Sequence, residues 1–281
     1  MRHNAVFTRL SHIAPVTPPS SSFDHDALRA ALGCDAAHFA VEWRAQCAST
    51  NSELAAAPPG ADGRVPVLVC ARQTAGRGRR GRTWLAWPGA SLTFSARWRF
   101  AAHPWAPAGL SLVAGLAVAD ALEALGVPGL ELKWPNDIQI HGRKLGGILV
   151  ELTSLGAYLD AVVGVGLNLA LPDGARVPDR PDVISLADAM DAPPVIELVL
   201  ARVLMRLRQL FDTYANAGFG AFVGAWNRRN AFADLPVQLT GEAEAIAGIC
   251  LGADTDGALR VLTDAGERRV LAGDVSLRAG A

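Results

Sequence analysis

Lysine is almost missing from this chain. Of 26 basic residues in 281, only Lys133 and Lys144 are lysines. Arginine serves wherever a cation suffices, so a position that keeps lysine asks for a compact ammonium on a flexible stem. Paired cysteine motifs are missing too. Cys34, Cys47, Cys70 and Cys250 lie far apart with no CxxC pair, which excludes a structural zinc site and a disulfide framework and fits a reducing cytoplasm. There is no charge excess: the formal net charge is -1. A protein that coats nucleic acid is excluded, and specific DNA is not an expected partner. No long apolar run is uninterrupted. The longest, Ala106 to Leu125, contains Ser111, Asp120 and Glu123, so it reads as a buried alanine-rich helix and no membrane partner is expected. A signal peptide is excluded by His3, Arg9, His12 and several prolines in the first residues. The 51% of hydrophobic residues supports a sizeable core in one or two domains.

What is present concentrates between Gln73 and Trp84. Seven consecutive residues there, Gly76 to Arg82, are all glycine or arginine. Glycine offers no side chain to bury and is costly to order. Crowded guanidiniums repel unless an anion sits among them. The preceding Val65 to Ala71 reads as a buried strand, so a cationic loop leaves a rigid element and is suited to receive a phosphate or carboxylate. The loop matches GxGxxG and approaches a P-loop. No helix follows it, and no acidic residue stands about twenty positions on. Kinase HRD and DFG motifs are absent as well.

Around this loop the pattern is that of an α+β protein, a mixed, mostly antiparallel sheet backed by helices. Strands are expected near 41–47, 65–71, 91–100, 130–140, 144–152 and 158–169, with helices near 24–32, 106–125, 194–214 and 219–229. His141-Gly142 is a hairpin turn. Thr50 with Glu53 fits a capping box for a short helix, and its strand-to-helix corner offers hydroxyl and amide groups to a ligand. Trp134-Pro135 forces a kink that presents Asn136 and Asp137. Asp137 could serve a Mg²⁺ bound mainly through phosphate oxygens. Gly146-Gly147 would let a ligand approach the backbone after Lys144. Gly164 to Asn168 is a glycine-punctuated strand with one polar side chain. From about Phe232 short strands and tight turns suggest a small SH3-like barrel. The domain scheme is a Pro/Ser-rich extension over 1–40, a main domain over 41–231 and a barrel over 232–281.

Ser49-Thr-Asn51, Gln73 with GRGRRGRTW, KWPND, RKLGGILVE and GVGLNL occur in this order. The set resembles the biotin–protein ligases, also called biotin–[acetyl-CoA-carboxylase] ligases, and covers Val41 to about Asn230. The C-terminal piece is similar to that family's small barrel. The resemblance implies a class II synthetase-like fold and a two-step ligase. Biotin and ATP, with Mg²⁺, give biotinyl-5′-AMP and pyrophosphate. The biotinyl group then passes to a lysine of a biotin carboxyl carrier domain of a carboxylase. It further implies that Ser49, Thr50, Asn51, Gln73, Gly76, Arg77, Gly78, Arg79, Lys144 and Gly147 hold biotin. Arg79, Arg82, Trp84, Asn136, Asp137, Lys144 and Asn168 would hold ATP or the adenylate, with Arg79 and Lys144 catalytic. Residues before Val41 are too few for a winged-helix domain, so repressor activity is not expected. A homodimer stays open as an alternative. So do two other activities: a lipoate or octanoyl–protein ligase of the same fold, and a non-enzymatic nucleotide- or RNA-binding module.

Overall fold

The computed structural model describes residues 23–58, 62–101, 109–172, 182–240, 245–271 and 276–279. Most of the proposed extension, the loops at 59–61 and 173–181, the expected helix start at 106–108 and the strand start at 275 lie outside the described residues.

The first element is α1 (His25–Leu32). Asp24 caps it by accepting from the amides of Asp26 and Ala27, and Gly33 ends it at φ 57°. Strand β1 (Phe39–Cys47) leads into helix α2 (Thr50–Ala56), then β2 (Val65–Gln73) and β3 (Ser91–Ala101). Helix α3 (Leu110–Glu123) follows. Eleven of its fourteen residues are buried, as expected of a helix apolar on all sides that forms the middle of a core. Among the described residues no helix is long and apolar enough to cross a membrane. Strands β4 (Leu130–Lys133), β5 (Asp137–Ile140), β6 (Arg143–Leu155) and β7 (Tyr158–Asn168) complete a seven-stranded sheet of order β1-β2-β3-β7-β6-β5-β4. The β1–β2 pair is parallel and the other pairs are antiparallel.

One face of the sheet carries the core. Phe94, Ala96, Val163, Val165, Leu167 and Ile148 pack there with α3 and the long α5 (Ile196–Ala217) in a single buried cluster. The short α4 (Leu186–Ala189) precedes α5. Phe211 of α5 meets Trp98 and Phe100 edge-on, at 5.1 and 5.7 Å between ring centroids. Each such apolar side chain contributes roughly 1.5–3 kcal/mol on burial. The opposite face holds only a small second cluster, Leu54 of α2 with Leu68 and Val162. The rest of it is open and is where the cleft lies.

Residues 23–40, expected within the extension, belong to the main packed unit. Leu28 and Leu32 are buried in the same cluster as α5, Glu197 accepts from the amide of Asp24, and Arg208 pairs with Asp35. The helical spacing was legible, but its partner lies in residues far along the chain. Trp134-Pro135-Asn136 is also not a kink within one strand. It is the turn of a hairpin, with Lys133 facing Asp137 across β4 and β5 and a cis Trp134–Pro135 peptide. The expected helix at 219–229 is a 3₁₀ turn, Phe219–Phe222, followed by α6 (Val223–Asn227).

The C-terminal unit is a five-stranded antiparallel sheet of β8 (Pro236–Thr240), β9 (Ile246–Ala253), β10 (Leu259–Thr263), β11 (Gly266–Val270) and β12 (Ser276–Ala279), in order β11-β10-β9-β8-β12. The last strand pairs back on the first, as in an SH3-like meander. It is fastened to the main unit by the Asn227 side chain, which bonds both the amide and the carbonyl of Ala253. The buried Trp134 adds a second tie by donating to the carbonyl of Gly257 at 3.0 Å.

Candidate active site

A cleft of about 1170 Å³ opens on the exposed face of the sheet. Its walls are α2, the glycine/arginine segment, the β4–β5 turn and the floor strands β3, β6 and β7. Every residue expected to hold biotin, ATP or the adenylate contributes to its lining except Gly76, and Gly146 is not part of it either.

The glycine/arginine segment folds as a small hairpin. Arg77 and Thr83 bridge antiparallel, the amide of Gly78 donates to Arg82 and that of Trp84 to Gly76. Arg80 and Gly81 turn the tip with φ 59° and 68°. Gly76 is needed for space: a Cβ there would lie 2.5 Å from the carbonyl oxygen of Trp84. Gly78 is different. Its φ of -108° suits any residue, and a Cβ would meet nothing nearer than 3.5 Å. The fold gives no reason for glycine there.

At one end of the cleft lies a buried polar network. Ser49 caps α2, accepting from the amide of Ser52, and Glu53 accepts from the amide of Ala48. The cap is therefore one residue earlier than the Thr50–Glu53 box expected from spacing. Gln73 Oε1 accepts from the amide of Thr50 at 2.7 Å and from its hydroxyl at 3.2 Å. Asn51 gives one amide proton to the carbonyl of Leu149 and another to Glu151 Oε2. Its Oδ1 lies 2.5 Å from the fully buried Ser95 hydroxyl. Both donors of Asn51 are thus committed to protein, so its side chain is a strut within the wall. Burial, and then Cys70, push the thiol of Cys47 just before this corner above the ordinary range, away from the reactive thiolate form.

The floor is β7. Gly164 leaves room for Asn51, whose Oδ1 would lie 2.2 Å from a Cβ, and Gly166 leaves room for the Trp84 ring at 2.4 Å. Trp84 Nε1 and the neighbouring Thr93 Oγ1 are buried with no hydrogen-bond partner. Buried polar groups are rarely left so. Both residues line the cleft, whereas Trp98 Nε1, in the same condition, lies in the helix-side core.

At the other end sits Lys144, and a β-bulge puts it there. Register shifts by one between Ile138 and Gln139, which pair with Gly146 and Lys144. Leu145 is the extra residue and enters the core. By plain alternation Lys144 would share a face with Gly146 and Ile148. The bulge turns it to the face of Gly147, Asp137 and Gln139. Lys144 Nζ pairs with Asp137 there. Gly147 sits beside them, with Lys144 Nζ at 3.4 Å from a would-be Cβ. Gly146 serves the sheet and not a ligand: a Cβ would strike the carbonyl oxygen of Gly166 at 2.4 Å.

Two further asparagines repeat the behaviour of Asn51. Asn136 donates to the carbonyl of Ile148 at 2.8 Å, and Asn168 to that of Ile184 at 3.1 Å. Both hold the wall of the cleft. Among the described residues no three acidic, histidine or cysteine groups converge as a metal cage. Asp137, already paired with a cation, fits a Mg²⁺ carried on phosphate oxygens better than one held by protein alone.

Sequence reading missed Ser95, Thr93 and Glu151. The signal was present: Ser91, Thr93 and Ser95, continued by Arg97 and Arg99, are polar at every second position of a strand whose other residues are apolar, a stripe aimed at one face.

A model described as the biotin/lipoate A/B protein ligase family matches residues 64–168, and one described as the biotin protein ligase C terminal domain matches 236–278. The biotin–[acetyl-CoA-carboxylase] ligase of Paracoccus denitrificans is 38% identical over 237 residues, 81% of this chain and 96% of that protein. The bifunctional ligase/repressor BirA of Salmonella typhimurium is 37% identical over 215 residues, 75% of this chain. The chain spans 66% of that relative's length and 64% of the Escherichia coli one. A solved structure of the biotin protein ligase from Aquifex aeolicus, in complex with biotin and ATP, is similar with a TM-score of 0.73 and 30% identity, covering 85% of this chain and 99% of that one.

Proposed function

Because the chain belongs to the biotin–protein ligase family, we propose that it activates biotin with ATP and transfers it to a lysine of a biotin carboxyl carrier domain. The observation that carries this reading is the cleft's two-ended chemistry. Hydroxyl and amide groups gather at one end, and at the other a lysine, turned in by a bulge, stands among walls that supply several arginines.

In the first step a biotin carboxylate oxygen attacks the α-phosphorus of ATP. The bond from that phosphorus to the bridging oxygen breaks, and pyrophosphate leaves. Two anions must approach, so cations are needed between them. Lys144 and Arg79 would lie at the carboxylate and α-phosphate, with Arg82 toward the leaving group. Ser49, Thr50 and Gln73 would meet the ureido ring. The Trp84 ring over Gly166 would cover the apolar part of biotin. The backbone at Arg77 and Gly78 would run along the ligand, which gives the otherwise unexplained Gly78 a reason. Asn136, Asn168 and Asp137 would shape the nucleotide end, and Asp137 would hold Mg²⁺ together with phosphate oxygens. The ion supplies charge neutralisation of the phosphates. In the second step a neutral lysine amine attacks the acyl carbon, AMP leaves, and the new amide loses a proton. The proposed compartment is the cytoplasm, supported by four unpaired thiols.

Biotin-dependent exchange of labelled pyrophosphate into ATP tests the first step, and labelling of an added carrier domain tests the second. Exchange supported by lipoate and not by biotin would overturn the reading.

A further inference from the structure

We propose that Glu151 is a positioning residue that ties the glycine/arginine hairpin to the biotin end of the cleft. Its two oxygens both accept from Arg77 Nη2, at 2.6 and 2.8 Å, and Oε2 also accepts from Asn51 at 2.9 Å. Asn51 is in turn fixed by Ser95 and by the Leu149 carbonyl. One carboxylate thus joins the base of the hairpin to the cap region of α2. The β1–β2 ladder brings the two close at its end, where the amides of Thr74 and Ala75 donate to the carbonyls of Cys47 and Ala48, and the carboxylate adds a side-chain tie beyond that point.

Glu151 is on β6 opposite Val162, two residues beyond Leu149 on the same face, so a rigid strand anchors the tie. Its own side chain is 34% exposed, and that of Arg77 46%. A solvated ion pair of this kind adds little to global stability. Its value is geometric. A carboxylate can accept from Arg77 and Asn51 together. A carboxamide in its place keeps one acceptor oxygen, loses the charge, and sets an N–H₂ against the Arg77 guanidinium. The hairpin would then keep its internal bonds and lose its fixed position over the floor.

The kinetic part of this proposal rests on the ligase reading, so the test has a second arm that does not. In the full chain, Glu151→Gln should speed amide hydrogen exchange at Gly78 and Trp84 by about tenfold, with the amides of β7 unchanged. In pyrophosphate exchange the same variant should raise the KM for biotin about tenfold, with kcat within about twofold. With Arg77→Ala already present, Glu151→Gln should add less than about twofold, because the two act as one unit. Unchanged hairpin exchange would overturn the proposal whatever reaction the protein performs. So would fully multiplicative effects in the double variant. A faster hairpin in Glu151→Gln, together with no biotin-dependent pyrophosphate exchange in the wild type, would support the tie and reject the ligase reading instead.

Discussion

Along β7, Val163, Val165 and Leu167 enter the helix layer, while Gly164, Gly166 and Asn168, alternating with them, face the cleft. The same backbone is held to two standards. On the helix side the requirement is volume, because a core loses contacts wherever a side chain is shortened. On the cleft side the requirement is space, because Asn51 and Trp84 occupy what a Cβ would fill. β3 and β6 repeat the division. Phe94 and Ala96 oppose Thr93 and Ser95, and Leu145 opposes Lys144. Substitutions of one kind should therefore separate folding from activity, and substitutions of the other kind should do the reverse.

The sharpest separation is expected at Lys144. Lys144→Ala should slow adenylate formation by about 10²–10³-fold, while the urea midpoint should fall only by what taking the ammonium away from Asp137 costs, an effect the double variant Lys144→Ala/Asp137→Asn should remove. Pyrophosphate exchange and urea titration read the two quantities, and a protein that unfolds instead would place Lys144 on the stability side. Leu167→Ala is the mirror case. It should cost about 3 kcal/mol of stability and leave the KM for biotin within about twofold below the melting range. Gly166→Ala comes next. Its new methyl must displace the Trp84 ring, so biotin should bind about tenfold more weakly, readable by titration calorimetry, with less than about 1 kcal/mol lost in folding. Unaltered biotin affinity there would mean that the ring is not held over the floor.

The smallest effect qualifies the comparison. Asp160 lies on the cleft face of β7 but at its far end, where Arg99 and Arg97 surround it. Hydrogen bonding from Arg99 first, and then from Arg97, outweighs burial and holds its carboxyl below the ordinary range. A carboxyl depressed in the folded state adds stability above its unfolded value of about 3.9 and loses it as pH falls through the folded value. The wild type should thus melt higher than Asp160→Asn at pH 7, and the gap should close below about pH 4. Thermal melts across that range check it. A gap independent of pH would show that packing and not charge is at work. Biotin binding should not change, since this end of the face serves folding.

Local pattern carried much of this into the sequence. The alternation in β7, the largely apolar α3, the His141-Gly142 turn with φ 47° and 73° and the family motifs were all readable from neighbours a few residues apart. What was not readable depended on partners far along the chain or on register. Asp24 looked like part of an extension because Glu197 is 173 residues away. That Asn51, Asn136 and Asn168 also bond distant carbonyls of the cleft wall could not be read, because an amide that bonds a distant carbonyl looks the same in sequence as one that faces only a ligand. Gly146 and Gly147 looked alike, yet one makes room for a neighbouring strand and the other lies beside Lys144.

The bulge at Leu145 also changes what a comparison of related sequences should look for. A lysine at this position is useful only while one extra residue separates the pairs formed by Ile138 and Gln139. The constraint falls on spacing as well as on identity. Deleting Leu145 would keep Lys144, Gly147 and every other residue of the cleft lining and still turn the ammonium into the oil of the core. An alignment gap between Lys144 and Gly146 would therefore be more telling than any substitution at either.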